Sequence, residues 1–201
     1  MAARAYQCIS GDSHLEVDSK RWIHRVPAKF RDRAPRLIRT ATGGDAWLIE
    51  GETAKEVPSD LYGGKGRENW TPFGQTYEGT AGTGSPQQRM EEQDRDGIDA
   101  EVLYPCQVGG PWFWRNIPDD DAYLSIVRGY NDWLMEEYCS ASPDRLIGLG
   151  IIPMSDAAGA VAEMEHCARL GYKGVLLSAF PNNQGYPTPE DDLFWAASQY
   201  V

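Results

Sequence analysis

Apolar residues along this chain fall into short dense runs separated by stretches with helical spacing. AYQCIS, from Ala5 to Ser10, is brief and partly apolar and ends at Gly11, which predicts a strand running into a loop. AEVLYP, from Ala100 to Pro105, predicts a second strand. RLIGLGIIP, from Arg145 to Pro153, is a nearly continuous apolar run, as expected of a parallel strand covered on both faces. KGVLLSA, from Lys173 to Ala179, predicts a fourth.

Helical signals lie between these runs. Ser85 followed by Pro86 makes a cap and first helical position for PQQRMEEQDRD, with Met90 and Gln93 or Asp94 near one face and a stop at Gly97. From Asp119 to Ser142, the residues Ala122, Ile126, Tyr130, Trp133, Leu134 and Tyr138 recur at three and four, predicting a long amphipathic helix. Ser155 or Asp156 caps another, through Val161, Met164 and Ala168 to Leu170, ending at Gly171. Pro187 to Tyr200 opens one more. From Asp18 to Gly84 the pattern is irregular, broken by Pro27, Pro35, Pro58 and Pro72, with one hairpin signal at Gly43-Gly44 between RLIRTA and DAWLIE.

Strand, helix, strand, helix with short apolar strands is the pattern of βαβ units on a parallel sheet. A complete (β/α)8 barrel takes about 250 residues, and this chain has 201. The expected fold is therefore α/β, of the TIM-barrel type but incomplete. About four N-terminal βα units, with a long insertion (18–84) after the first strand, would make residues 1–201 the N-terminal portion of one barrel domain. The alternative is a four-unit α/β domain that covers its exposed edges by self-association.

Charge narrows the partners. The 19 Lys and Arg stand against 30 Asp and Glu, a formal charge of −11 with no basic cluster, which argues against phosphate-backbone binding and so against nucleic acid. No apolar run approaches the roughly 20 residues of a membrane helix, and MAARAYQCIS has no long apolar segment of the secretory kind. The expectation is a soluble, cytoplasmic protein with no membrane partner. Cys8, Cys106, Cys139 and Cys167 lie far apart without a CxxC pair, as expected of free thiols.

The sharpest chemical feature is Gly11-Asp12-Ser13-His14-Leu15-Glu16, directly after the first strand. If the chain stays extended, Asp12, His14 and Glu16 point to one side at period two. An imidazole and a carboxylate there form a half-site for one divalent metal ion, Zn, Mn or Fe. The alternative is that Asp12 or Ser13 caps a short helix and His14 is merely exposed. After the second strand, Trp112, Phe113, Trp114 and Arg115 would wall a site for a planar or apolar carboxylic substrate, with the Arg pairing the carboxylate; the same residue types also suit a subunit contact. Asn182, after the fourth strand, would add hydrogen bonds at the same rim. His24 and His166 read as exposed polar residues.

Four strings, GDSHLEV, RMEEQDRDGIDAEVLYP, YNDWLMEEYCSASPDRLIGLGIIP and LGYKGVLLSAFP, resemble the amidohydrolase-related family in the order in which the family carries them. That family includes metal-dependent hydrolases and non-oxidative decarboxylases. The resemblance implies a distorted (β/α)8 barrel with one divalent metal at the C-terminal strand ends. Asp12 and His14 would be the first-strand ligands, and Glu16 would act beside the metal or on the substrate. The family's remaining ligands come from strands later than the four read here. It further implies a metal-dependent hydrolase acting on a small cyclic or carboxylic molecule, or alternatively a decarboxylase on the same scaffold, in a dimer. A non-catalytic half-barrel acting by assembly or binding is the reading from a different class.

Overall fold

The computed structural model describes residues 5–53, 65–71, 73–105 and 111–201. Strand β1 (Ile9–Leu15) begins later and runs further than its apolar letters suggest. What extends it is pairing with a neighbour. Ser13, His14 and Leu15 lie in parallel register with Leu103, Tyr104 and Pro105, after a slip between Ser10 and Ser13.

The region predicted as one insertion divides physically in two. Between residues 19 and 33 the chain makes three short 3-10 turns, and Trp22, Val26, Phe30 and Ala34 enter the main core at four-residue spacing. This part belongs to the body of the domain. The predicted hairpin follows, with β2 (Arg36–Arg39) antiparallel to β3 (Asp45–Ile49), which pairs in turn with β4 (Glu52–Thr53). Gly43 takes the positive φ of 85° that its turn requires. Trp47 of the hairpin and Tyr77 form a small satellite core.

Helix α1 (Pro86–Asp96) starts and stops where predicted: Ser85 Oγ accepts from Gln88 N, and Gly97 ends it. Its inward face keeps the expected Gln93 and Met90 and adds Arg89. Arg89 and Gln93 are the buried pair, while Met90 is only half-buried. Strand β5 (Ala100–Pro105) matches its predicted bounds. The helical turn α2 (Pro111–Trp114) leads to α3 (Asp120–Trp133), capped by Asp119. The long predicted helix does not continue in α form to Ser142. It widens into a π-turn over Leu134–Tyr138 and tightens into a 3-10 turn over Cys139–Ala141.

The third predicted strand is split into β6 (Leu146–Gly148) and β7 (Gly150–Ile151), the first pairing with β5 and the second with β8 (Val175–Leu176). Between them lies α4 (Ala157–Leu170), capped by Asp156 and ended by Gly171. The last predicted helix is shorter than expected. Thr188 and Asp191 form a capping box around a 3-10 turn, so that α5 (Asp192–Ala197) begins only after it.

Sheet order β1-β5-β6 with the pair β7-β8 gives a parallel arc with helices on one side, open among the described residues. Alternation decides the two faces. Leu15, Leu103 and Leu146 are buried against α3 and the 3-10 turns, with Ile126, Tyr130 and Leu134. On the opposite face Val102, Tyr104, Ile147 and Leu149 are half-buried, as is Leu176. That concave face corresponds to the interior of a barrel, and the fold is of the TIM-barrel type. Among the described residues no helix is long and apolar enough to cross a membrane.

Candidate metal centre

The extended course of β1 carries Asp12 and His14 onto its concave side, and the helix-cap alternative for Asp12 or Ser13 is replaced by this strand. Asp12 Oδ1 lies 3.5 Å from His14 Nε2, with the carboxylate exposed and the imidazole half-buried. The Tyr104 ring, in the adjacent register position, has its centroid 5.9 Å from that of His14. Two ligand atoms at about 2.1 Å from one ion, set at a tetrahedral angle, lie about 3.4 Å apart. The donor pair therefore fits one coordination sphere. Among the described residues no group of three or more His, Cys, Asp or Glu comes together to hold a metal.

Glu16 follows the pair by two residues and makes a bond of its own to the hairpin side of the molecule. It is buried, and its Oε2 accepts from Tyr77 Oη at 3.0 Å, whose oxygen accepts in turn from Trp47 Nε1 at 3.0 Å. The carboxylate thus ties the end of β1 to the hairpin.

Behind the pair lies a buried network that the sequence reading did not single out. Arg89 grips Glu101 with two bonds, Nε to Oε2 at 2.6 Å and Nη2 to Oε1 at 3.1 Å. Gln93 Nε2 donates to Oε2 at 2.7 Å, and Ser13 Oγ donates to Oε1 at 3.0 Å. Burial works against the Glu101 charge, yet these bonds and the Arg89 charge outweigh it and hold the carboxyl below its ordinary value. The available signal was Glu101 itself, a charged residue inside the apolar run AEVLYP, which obliges a buried partner.

The predicted substrate residues are dispersed. Gln107 to Gly110, the start of their loop, lie outside the described residues. Trp112 is 66% exposed and lines an apolar cleft of about 600 Å³ with Met154, Leu177, Phe180 and Trp195, beyond the C-terminal end of β8. Phe113 is half-buried between the main core and the Trp47–Tyr77 cluster. Trp114 is not at a rim. It is 2% exposed, with its ring 5.2 Å from Trp22 and 5.3 Å from Tyr130, because the turn of α2 rotates it into the core. Arg115 is held by Asp120 at 3.1 Å and lies over the Tyr123 ring. The polar atoms of Asn182 are committed to its own loop: Nδ2 donates to Thr188 and Asp191, and Oδ1 accepts from Gln184 N.

His24 is exposed and pairs with Glu137 at 2.8 Å. His166 departs from the expectation of exposure: it is half-buried and pairs with Asp132 at 2.6 Å, joining α3 to α4. Cys139 and Cys167 are buried free thiols, both pushed up to about 12 by desolvation, while Cys8 is exposed. Cys106 lies outside the described residues.

Comparison with known proteins points the same way. The amidohydrolase family model matches residues 109–200. A gamma-resorcylate decarboxylase of Rhizobium radiobacter is 31% identical over 113 residues, which is 56% of this chain and 32% of that enzyme. The match thus spans about a third of the length of that curated relative. In fold, the crystal structure of an amidohydrolase from Mycobacterium avium subsp. paratuberculosis K-10 superposes with a TM-score of 0.67 at 18% identity, covering 96% of this chain and 55% of that one. A dihydroxybenzoic acid decarboxylase from Polaromonas sp. JS666, solved with bound manganese and the inhibitor 2-nitroresorcinol, gives a TM-score of 0.54 at 20% identity, over 97% of this chain and 47% of that one. The family model takes in the last two of the four sequence strings: this chain resembles the amidohydrolase-related family in sequence along residues 109–200, and its fold resembles theirs along nearly its whole length.

Proposed function

We propose that the full-length protein is a metal-dependent, non-oxidative decarboxylase of a hydroxylated aromatic acid, with Asp12 and His14 as two of the ligands to one divalent ion. The observation that carries this reading is the 31% identity with a gamma-resorcylate decarboxylase. It favours the decarboxylase alternative over hydrolysis, which was the first expectation from sequence. The donor pair at the C-terminal end of β1 is consistent with it.

A bound divalent ion would supply Lewis acidity to the carboxylate and neighbouring oxygen of such a substrate. His14 Nε2 and Asp12 Oδ1 would hold that ion at the concave face. Tyr104, beside His14, offers an aromatic wall there. Trp112 extends an apolar surface from the end of β8, suited to a planar ring. Glu16 keeps the strand end fixed to the hairpin, and its part in the reaction is positional. Arg115 would meet a substrate carboxylate only by leaving Asp120.

The test is direct. Metal-free full-length protein is reloaded with Mn²⁺ and incubated with gamma-resorcylate while carbon dioxide and resorcinol are measured. Stoichiometric release of both is expected, with activity and Mn²⁺ affinity reduced at least about 100-fold in His14→Ala, since even residues that only support ligands are worth 10- to 100-fold. Hydrolysis of esters or lactones without carbon dioxide from any hydroxybenzoate would return the reading to a hydrolase.

A further inference from the structure

We infer that Arg89 is a positioning residue for the metal pair, acting on the backbone of His14 from behind the sheet; the inference rests on the metal reading proposed above. Arg89 Nη1 donates to the His14 carbonyl at 3.2 Å and to the Gly82 carbonyl at 3.4 Å, while the rest of the guanidinium holds Glu101. One rigid cation thus joins three places: helix α1, the start of β5 and the backbone of the proposed ligand.

The need for such a clamp comes from β1. Its register with β5 slips between Ser10 and Ser13, so Gly11 and Asp12 have no ladder partner. A bulge re-aims the side chains beside it and removes the bonds that would otherwise fix them. Glu101 closes over this gap. It pairs with Ser10 in the register before the slip, and its carboxylate accepts from Ser13 just after it. Ser13 Oγ also lies 2.7 Å from Ser10 Oγ, so the two ends of the bulge are drawn together. Asp12 and His14 flank Ser13 and face the other way.

The chemistry of the clamp argues for aim over mere adhesion. An apolar pair would attach α1 to the sheet as firmly, since a buried ion pair repays its desolvation only with good geometry. What an apolar pair cannot do is bind a carboxylate at two oxygens and a carbonyl at a third point. A guanidinium does this with its planar fork; a lysine, with one nitrogen, does not.

The experiment uses metal-free full-length protein and three readouts: Mn²⁺ affinity from the electron paramagnetic resonance of free Mn²⁺, the ring ¹H–¹⁵N signals of His14, and the thermal midpoint without metal. Arg89→Lys keeps a charge opposite Glu101 but loses the reach to His14. Its expected result is Mn²⁺ binding weakened about 10- to 100-fold, with displaced His14 ring signals. Ser13→Ala, which cuts the link across the bulge and leaves the ion pair, is expected to weaken binding several-fold, and it decides the matter on the same readouts if Arg89→Lys does not fold. A lowered midpoint with unchanged Mn²⁺ affinity and unchanged His14 signals overturns the inference and leaves Arg89 a helix anchor. His14→Ala is the reference. If it binds Mn²⁺ as tightly as the parent protein, the metal reading itself fails and the inference falls with it. If it loses the ion while Arg89→Lys keeps it, only the inference fails.

Discussion

Asn131 does with one side chain what a strand does with its backbone. Odd-numbered residues of the 145–153 run turn their N–H towards β5, as Leu149 N does to Leu103 O, and even-numbered ones turn towards β8, as Ile152 N does to Leu176 O. Ile151 should therefore bond to the end of β5, yet there Asn131 replaces it: Oδ1 accepts from Ile151 N at 2.8 Å and Nδ2 donates to Ile151 O at 2.9 Å. The strands part around this fully buried amide, at the end of the sheet that carries His14. Asn131→Ala leaves a buried donor and acceptor bare, each worth roughly 1–3 kcal/mol. Chemical denaturation should show a loss of about 3 kcal/mol or more. In sequence this residue was hidden: it sits between Tyr130 and Trp133 on a helix whose apolar neighbours explain the pattern without it. His14 was visible because a period-two alternation needs only local geometry, whereas Asn131 acts through a partner 20 residues away.

Among the elements, the run RLIGLGIIP looks like one continuous strand, and its glycines show why it is two. A Cβ at Gly148 would lie 3.0 Å from Leu134 Cδ2, and a Cβ at Gly150 would lie 2.5 Å from Cys167 Sγ. The missing side chains let the π-turn after α3 and the helix α4 rest directly on the sheet. Gly150→Ala should lower stability by about 1–3 kcal/mol through overpacking. Combining it with Cys167→Ala should recover part of that loss, giving a measurable favourable coupling in a double-mutant cycle. Helix ends were readable because capping is local, as at Ser85, Asp156, Gly97 and Gly171. The burial of Trp22, Val26 and Phe30 was not, since that stretch lacks regular secondary structure and its apolar residues count only once α3 is there to receive them.

At the scale of the whole molecule, the buried Arg89–Glu101 pair makes stability depend on acid. Glu101 has a lowered carboxyl pKa in the folded protein, so its contribution is complete above the ordinary value of 4.5 and is lost as pH falls through the folded value. Glu101→Gln should melt below the parent protein at neutral pH, because it strands a buried cation. The gap between the two melting curves should narrow as pH drops below about 4.5, where the parent loses the same charge. A constant gap from pH 7 to pH 3 would show that the pair is not what titrates.

The sequence alone determined the parallel α/β plan, the hairpin at Gly43, most helix starts and stops, and the Asp12–His14 pair, because each follows from periodicity, capping or turn chemistry within a few residues. Only the tertiary structure decided that β1 continues through the pair, that Glu16 bonds to Tyr77, that Trp114 lies in the core, and that Arg89 and Glu101 meet behind the strand. Those outcomes depend on which groups far apart in the chain become neighbours. A buried polar residue announces that it needs a partner, and folding selects which partner it receives.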